Sequence, residues 1–247
     1  MVEKNIRFSV CIPALNEEKY ICIILKALEQ QTYKNFEVVI VDGGSKDKTE
    51  KVALQFKKVL NLRFYTSVGK GLSFDRNLAA KKAKEDHLVF FDADVRPESM
   101  FLEKLADAIT RKKAVAATAW MTPISGRLID KIMYLIVNIT YFELPKHFAP
   151  GASGTFIYSS RKAFNEVKGF NEKAFIGEDT DLIRRIHKNG HKFIVLSNPR
   201  IDISVRRLDE EGRFNYVRKM LAVSLLQYFK GPVVDRADFD YHYGKHN

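Results

Sequence analysis

The chain has 247 residues, 46% hydrophobic and 29% charged, with a formal net charge of +11 at pH 7. That much apolar sequence excludes a disordered chain, and the excess of cations points to anionic partners: nucleotides, nucleic acid or an anionic membrane. Acids interleave with the bases, as in KKAKED and RRLDEEGR, which suits solvated helix faces better than a nucleic-acid tract.

Cys11 and Cys22 have no CxxC spacing and lie in apolar runs, the pattern of reduced thiols in a cytosolic protein. MVEKNIRFSV lacks the apolar core and cleavage site of a signal peptide. RFSVCIPA (7–14) reads as a strand. In the segment after it, Ile21, Ile24, Leu25 and Leu28 recur at helical spacing. Asn16 is the expected cap of that helix, with Glu17 and Glu18 at its positive end. FEVVIVD (36–42) is the next strand, followed by a helix carrying Val52, Phe56, Val59 and Leu60, with Ser45 and Asp47 as capping candidates. A strand LRFYT (62–66), a helix SFDRNLAAKKAKE (73–85) and a strand over 87–92 come next. Then follow a helix PESMFLEKLADAIT opened by Pro97, and a strand AVAATAW (114–120). Repeated βα units predict an α/β fold: a doubly wound, mostly parallel sheet with helices on both faces and ligands at the C-terminal strand ends. Asn16, Asp42, Asp92 and Asp94 all fall at such ends.

The second half is less regular. A helix over 126–142, the turn PGASG (150–154), a strand GTFIYS and short helices RKAFNEV and DTDLIRRIHKNG are expected, the last closed by Gly190. KFIVL and IDISV read as two strands, and an amphipathic helix covers about 211–229. The segment 128–142 is interrupted by Asp130, Lys131 and Asn138 and is too short to span a bilayer. With no repeat or linker, a single domain over 1–247 is expected: a nucleotide-binding half to about residue 120, an acceptor half over 121–230 and a tail over 231–247.

FFDAD (90–94) carries the sharpest chemistry. In an extended chain Asp92 and Asp94 project on the same side, and they repel unless a cation, a proton or a helix end offsets them. Alone, the motif allows three readings. The aspartates could cap a turn; they could form a Walker B site, for which SVGKGLS is a poor P-loop; or they could hold a divalent metal on a diphosphate.

IPALNEE (12–18), VDGGSKDKT (41–49), GKGLSFDRNLA (69–79), FFDAD (90–94) and GEDTDLIRR (177–185) occur in this order. Together they resemble the inverting family-2 glycosyltransferases of GT-A fold, over residues 6 to about 220. The resemblance implies an enzyme moving a single sugar from a nucleoside-diphosphate sugar, UDP- or GDP-linked, to a hydroxyl of a glycan or lipid-linked acceptor. It implies that Pro13, Ala14, Asn16 and Glu17 line the nucleoside pocket and that Asp42 contacts the base. Arg76 would lie at the nucleotide-sugar, Asp92 at the ribose or sugar, and Asp94 on Mn²⁺ or Mg²⁺. Asp179 matches the catalytic base, with Glu178 beside it near the acceptor; the plainer reading of Asp179 is a helix N-cap.

Such a base takes the acceptor's proton from within ~3 Å while the diphosphate leaves from the opposite face, so one displacement inverts the anomeric carbon. A glycosidase would instead need two carboxylates spanning the scissile bond. Three departures from the family pattern stand out. Gly43 replaces the second acid of VDDGS, ISVRRLDEEGR offers Arg206 and Arg207 where many members have a histidine ligand, and no QxxRW follows Asp179, which argues against a processive synthase. The arginines suit bidentate contacts to a diphosphate or anionic acceptor. His147, in LPKHFAPGASG, is an acceptor-side candidate, whereas His187 and His191 lack zinc-helix geometry because Gly190 ends their helix.

The 126–142 segment, the apolar residues Leu221, Leu225, Leu226 and Phe229 and the basic charge fit a peripheral seat on an anionic bilayer, or else core and a dimer face; both readings stay open. The expected location is the cytoplasm or the cytoplasmic membrane face. The competing class is a non-catalytic basic module binding membrane or nucleic acid. Strand-end aspartates and the lack of a clustered basic-aromatic surface speak against nucleic acid.

Overall fold

The structure, a computed structural model, describes residues 6–219 except 175, 214 and 217. Eight strands form one sheet in the order β3-β2-β1-β4-β7-β6-β8-β5. The strands are β1 Phe8–Ala14, β2 Phe36–Asp42, β3 Leu62–Thr66, β4 His87–Phe90, β5 Arg96–Pro97, β6 Ala116–Ile124, β7 Ile157–Ser160 and β8 Phe193–Ser204. The helices are α1 Ile21–Glu29, α2 Thr49–Leu54, α3 Leu72–Lys82, α4 Phe101–Lys112, α5 Leu128–Val137, α6 Arg161–Glu166, α7 Glu178–Lys188 and α8 Arg206–Glu211. Four of the seven neighbouring pairs are parallel, including β3, β2, β1 and β4 in succession.

Every residue of β1 is buried, which is why its sequence is a continuous apolar run rather than an alternating one: helices cover both faces. The register pairs Ala14 with Asp42 and Cys11 with Phe90, so β1, β2 and β4 deliver their C-terminal residues to one crevice. Alternation then sends Phe90 and Phe91 to opposite faces. Phe90 packs on Phe164 and Phe170, and Phe91 on Phe101 and Phe156, with ring centroids 5.0–5.6 Å apart. The chain leading from β4 into Asp92 is thus anchored from both sides. Antiparallel pairing of β4 with β7 brings the 150–156 turn over the same crevice.

Several expected elements differ. Pro97 opens no helix; Arg96 and Pro97 pair with Asp202 and Ile201 as an edge strand, where a missing N–H is tolerated, and α4 starts at Phe101. KFIVL and IDISV are parts of one strand, β8, running beside β6 with an irregularity between Ala119 and Met121. The 126–142 helix is α5 plus a π-helical turn, Asn138–Glu143. Of the expected final helix, Leu221, Leu225, Leu226 and Phe229 lie outside the described residues, as does the tail 231–247. Among the described residues no helix is long and apolar enough to cross a membrane.

Candidate active site

At the β1 end, Asn16 takes the left-handed conformation, φ 56°, which asparagine tolerates better than most residues. It does not cap α1, whose first residue is Ile21 with Tyr20 before it. Its side-chain oxygen accepts from Lys46 N–H at 2.9 Å, and its own N–H donates to Ser45 Oγ at 2.7 Å. Glu17 and Glu18 donate from their backbones to Thr49 Oγ1 and Asp47 Oδ2, and Glu18 Oε2 accepts from Lys48 N–H. The NEE segment is therefore clasped to the SKDKT loop, leaving Pro13, Ala14 and Asp42 side by side beneath it. Asp47 does hold the start of α2, accepting from Thr49 N–H at 2.9 Å. Asp42 is buried and closes the next turn, accepting from the Ser45 and Gly44 N–H groups at 2.9 and 3.3 Å and from the Ser45 hydroxyl.

Gly43 has a structural reason. A Cβ there would meet Asp75 Oδ2 at 2.9 Å. Asp75, on α3, is fully buried; its Oδ1 accepts from the Ser67 hydroxyl and its Oδ2 has no hydrogen-bond partner among the described residues. Burial, with the Asp42 charge adding to it, pushes its carboxyl up to about 6. An acid displaced in sequence from position 43 has an acid from another element in its place. Asp75 escaped the sequence reading, though an acid just before Arg76 and a glycine where an acid is usual were the available signal. A carboxyl raised in the fold contributes most stability below its unfolded value near 4 and loses it as pH rises through about 6. Asp75→Asn is therefore expected to raise the melting midpoint at pH 8 by several degrees, on the order of 2–3 kcal/mol, and to gain nothing at pH 4. Thermal unfolding across that range checks it; an equal effect at both pH values would contradict the burial argument.

Arg76, distant in sequence from the carboxylates it meets, is the hub of the crevice. It is fully buried on α3, with Nη1 2.6 Å from Glu178 Oε1 and Nη2 2.7 Å from Asp92 Oδ1. Burial opposes its charge, but Asp92, Glu178 and Asp179 together hold it protonated. The planar fork allows one guanidinium to join β4 to α7. Gly154 completes the joint: a Cβ on it would lie 2.3 Å from Arg76 Nη2 and 3.2 Å from both Asp92 oxygens. Only a glycine fits there, a requirement that the turn signal PGASG did not reveal.

Asp179 is half-buried in the first turn of α7, whose N-cap is Gly177, so the plainer capping role is not the one it plays. Its Oδ2 accepts from Gly154 N–H at 2.8 Å and its Oδ1 from Thr180 N–H at 2.7 Å. Burial, then the neighbouring Glu178 charge, push its carboxyl up to about 7, with Arg76 and the two N–H groups opposing. A carboxylate ionising near neutrality is matched to accepting a proton. Glu178 itself is buried and engaged with Arg76.

Asp94 lies on the opposite flank. The Arg206 guanidinium approaches it at 3.9 Å and stacks over the Tyr20 ring at 4.4 Å. Both line an open cavity of about 550 Å³ between α1, α8 and the end of β6. Arg207 follows Arg206 in α8, and its side chain is outside the described residues. His147 is exposed, with its carbonyl 3.2 Å from His187 Nε2. The structure thus joins Arg76, Asp92, Glu178 and Asp179 into one cluster, sets Asp94 and Arg206 on its flank, and gives His147 no such link.

A profile of glycosyl transferase family 2 matches residues 9–168. The chain belongs to this family. It is 27% identical over 216 residues to the poly(ribitol-phosphate) β-N-acetylglucosaminyltransferase TarS of Staphylococcus aureus, an alignment covering 85% of this chain and 38% of TarS. It is 28% identical over 213 residues to the dolichyl N-acetyl-α-D-glucosaminyl phosphate 3-β-D-2,3-diacetamido-2,3-dideoxy-β-D-glucuronosyltransferase of Methanococcus voltae, covering 78% of this chain and 64% of the relative. The chain thus spans less than two thirds of these curated relatives. Among solved structures, TarS 1–349 in complex with UDP-GlcNAc superposes with a TM-score of 0.68 at 24% identity, covering 81% of this chain and 58% of that one. The mannosyltransferase PcManGT of Pyrobaculum calidifontis, in complex with GDP-Man and Mn²⁺, gives 0.71 at 21% identity, covering 93% and 65%. This family-2 chain has the GT-A fold.

Proposed function

We propose that the protein is an inverting, metal-assisted glycosyltransferase that moves one sugar from a nucleoside-diphosphate sugar to a hydroxyl acceptor, with Asp179 as the base. The observation that carries this reading is the cluster at the end of β4. One buried arginine holds Asp92 of the donor half against Glu178, and next to Glu178 stands a carboxylate poised to ionise near neutrality. Pro13, Ala14, Asn16, Glu17 and Asp42 form the nucleoside side and Asp92 the sugar side. A hydroxyl within ~3 Å of Asp179 gives up its proton as it attacks the anomeric carbon from the face opposite the diphosphate. Arg206 faces the leaving group with a fork suited to phosphate oxygens.

Among the described residues no three His, Cys, Asp or Glu side chains converge as a metal cage. Asp94 beside an open cavity fits a hard cation that takes its other oxygen ligands from diphosphate and water. Such an ion, Mn²⁺ or Mg²⁺, would supply compensation for charge developing on the departing diphosphate. The TarS and PcManGT complexes support UDP- or GDP-linked donors, and the M. voltae relative, by its name, supports a lipid-linked acceptor.

Incubation with UDP-GlcNAc and with GDP-Man, each with Mn²⁺ or with EDTA, tests the proposal by released nucleoside diphosphate. Release from at least one donor that EDTA abolishes, with a first-formed product of inverted anomeric proton coupling in NMR, is expected. Metal-independent release, or a product of retained configuration, would contradict it.

A further inference from the structure

Helix α5 and the π turn after it are amphipathic in an inverted sense. Their buried stripe runs through Asp130, Tyr134, Asn138 and Phe142, spaced by four residues, and two of these four are polar. Asp130, wholly buried, is held by Arg213 at 2.6 Å and by the Ser125 hydroxyl at 2.6 Å, interactions that keep its carboxyl down at about 2. Asn138 clamps the backbone N–H and carbonyl of Met121, both at 2.9 Å. The outward stripe is aliphatic: Leu128, Ile129, Ile132, Leu135, Ile136 and Ile139 are all exposed, Leu128 at 71%. Polar anchors thus fix the helix while its apolar side chains face outward, the reverse of a core-facing helix. A contiguous patch of this kind marks an interaction surface.

We propose that this face seats on an anionic lipid surface. Between Ile124 and Ala149 the exposed Lys, Arg, Asp and Glu residues are Arg127 and Lys131, both cations, while Asp130 is buried and Glu143 is half-buried and paired with Lys146. Aliphatic side chains bordered by Lys and Arg are what an interfacial helix presents to acyl chains and anionic headgroups. Beyond the π turn, Phe148 is also exposed, at 72%. The exposed large side chains of this face are all Leu or Ile, with no Trp or Tyr among them, whereas aromatic anchors dominate protein interfaces.

The seat is coupled to the crevice. Tyr141 of the π turn bonds Thr180 Oγ1 at 2.7 Å, next in sequence to Asp179, and Thr180 also holds Ala152 through both its N–H and its carbonyl. A membrane against α5 would therefore border the acceptor side of the base, which deepens the transferase reading and rests on it. The surface itself can be tested without donor or turnover, so the two fail separately.

The test is flotation of the full chain with vesicles of phosphatidylcholine alone and of phosphatidylcholine with phosphatidylglycerol. Binding to the anionic vesicles is expected, reduced roughly tenfold in Ile132→Glu/Ile136→Glu and similarly in Arg127→Glu/Lys131→Glu. All four residues are exposed, so unchanged melting midpoints are expected for both variants. Absence of binding by the wild-type chain, or equal binding by both variants, would overturn the proposal. So would a wild-type dimer in ultracentrifugation that Ile132→Glu/Ile136→Glu converts to monomer.

Discussion

Asp179→Asn is expected to lower kcat by about 10²–10⁴ while leaving the donor Kd within a few-fold. The amide cannot take the acceptor's proton, whereas Pro13, Ala14, Asp42 and Asp94 on the donor side are untouched. The pH profile separates the chemical role from a structural one. Burial and Glu178 raise the carboxyl to about 7, so wild-type kcat should climb with pH through neutrality. The variant should lose that limb. The linkage has the opposite sign for folding: a raised carboxyl gives most stability below about 4 and loses it as pH rises through its folded value, so the ionised, active form is the less stable one. One of the two N–H groups from Gly154 and Thr180 must then face the amide nitrogen, a hydrogen-bond loss of about 1 kcal/mol that stays within a few degrees of melting midpoint. A kcat within tenfold of wild type, with its pH limb intact, would remove Asp179 from the chemistry.

Arg76→Met should be the most destabilising single change in the crevice. It removes one buried cation and strands two carboxylates, Asp92 and Glu178, that it holds at 2.7 and 2.6 Å. Breaking such a pair costs about 3–5 kcal/mol, or roughly 6–20 °C in a chain of this size. Arg76→Lys should recover only part of it, because one ammonium cannot reproduce the two ends of the fork. Gly154→Ala should act in the same direction without touching any charge, since its methyl would lie 2.3 Å from Nη2. Denaturant or thermal unfolding of the three variants checks this. If Arg76→Met melts within 2–3 °C of wild type, the ion triad is not what holds β4 to α7.

The alternation of strands and helices over the first half was legible because both periods are local: each apolar run and each i, i+3, i+4 pattern is contained in one element. The strand-end rule anticipated the common edge at which β1, β2 and β4 finish, since their register brings Ala14 beside Asp42 and Cys11 beside Phe90. What escaped reading depends on contacts between distant segments. Asn16 looks like a helix cap by its neighbours, but it bonds the loop thirty residues on, at Lys46. Pro97 carries a helix-start signal, yet β8, about a hundred residues later, claims it as an edge strand. The demand for glycine at 154 comes from Arg76 and Asp92, and at 43 from Asp75, none of which is near in sequence. For α5 the sequence left core and surface both open; the stripe carrying Asp130 and Asn138 packs inward because Arg213 and the Met121 backbone supply partners that a helical wheel does not show.

Binding of a nucleoside diphosphate in the crevice at the ends of β1, β2 and β4, with Asp94 on its metal, can be measured by calorimetric titration with UDP and with GDP. Each would be run with and without Mn²⁺, on the wild-type chain and on Asp94→Ala. One diphosphate is expected to bind in the presence of Mn²⁺, at least tenfold more weakly in its absence, and at least tenfold more weakly in Asp94→Ala even with Mn²⁺ present. Binding of neither diphosphate under any condition, or binding that neither Mn²⁺ nor Asp94→Ala changes, would contradict it.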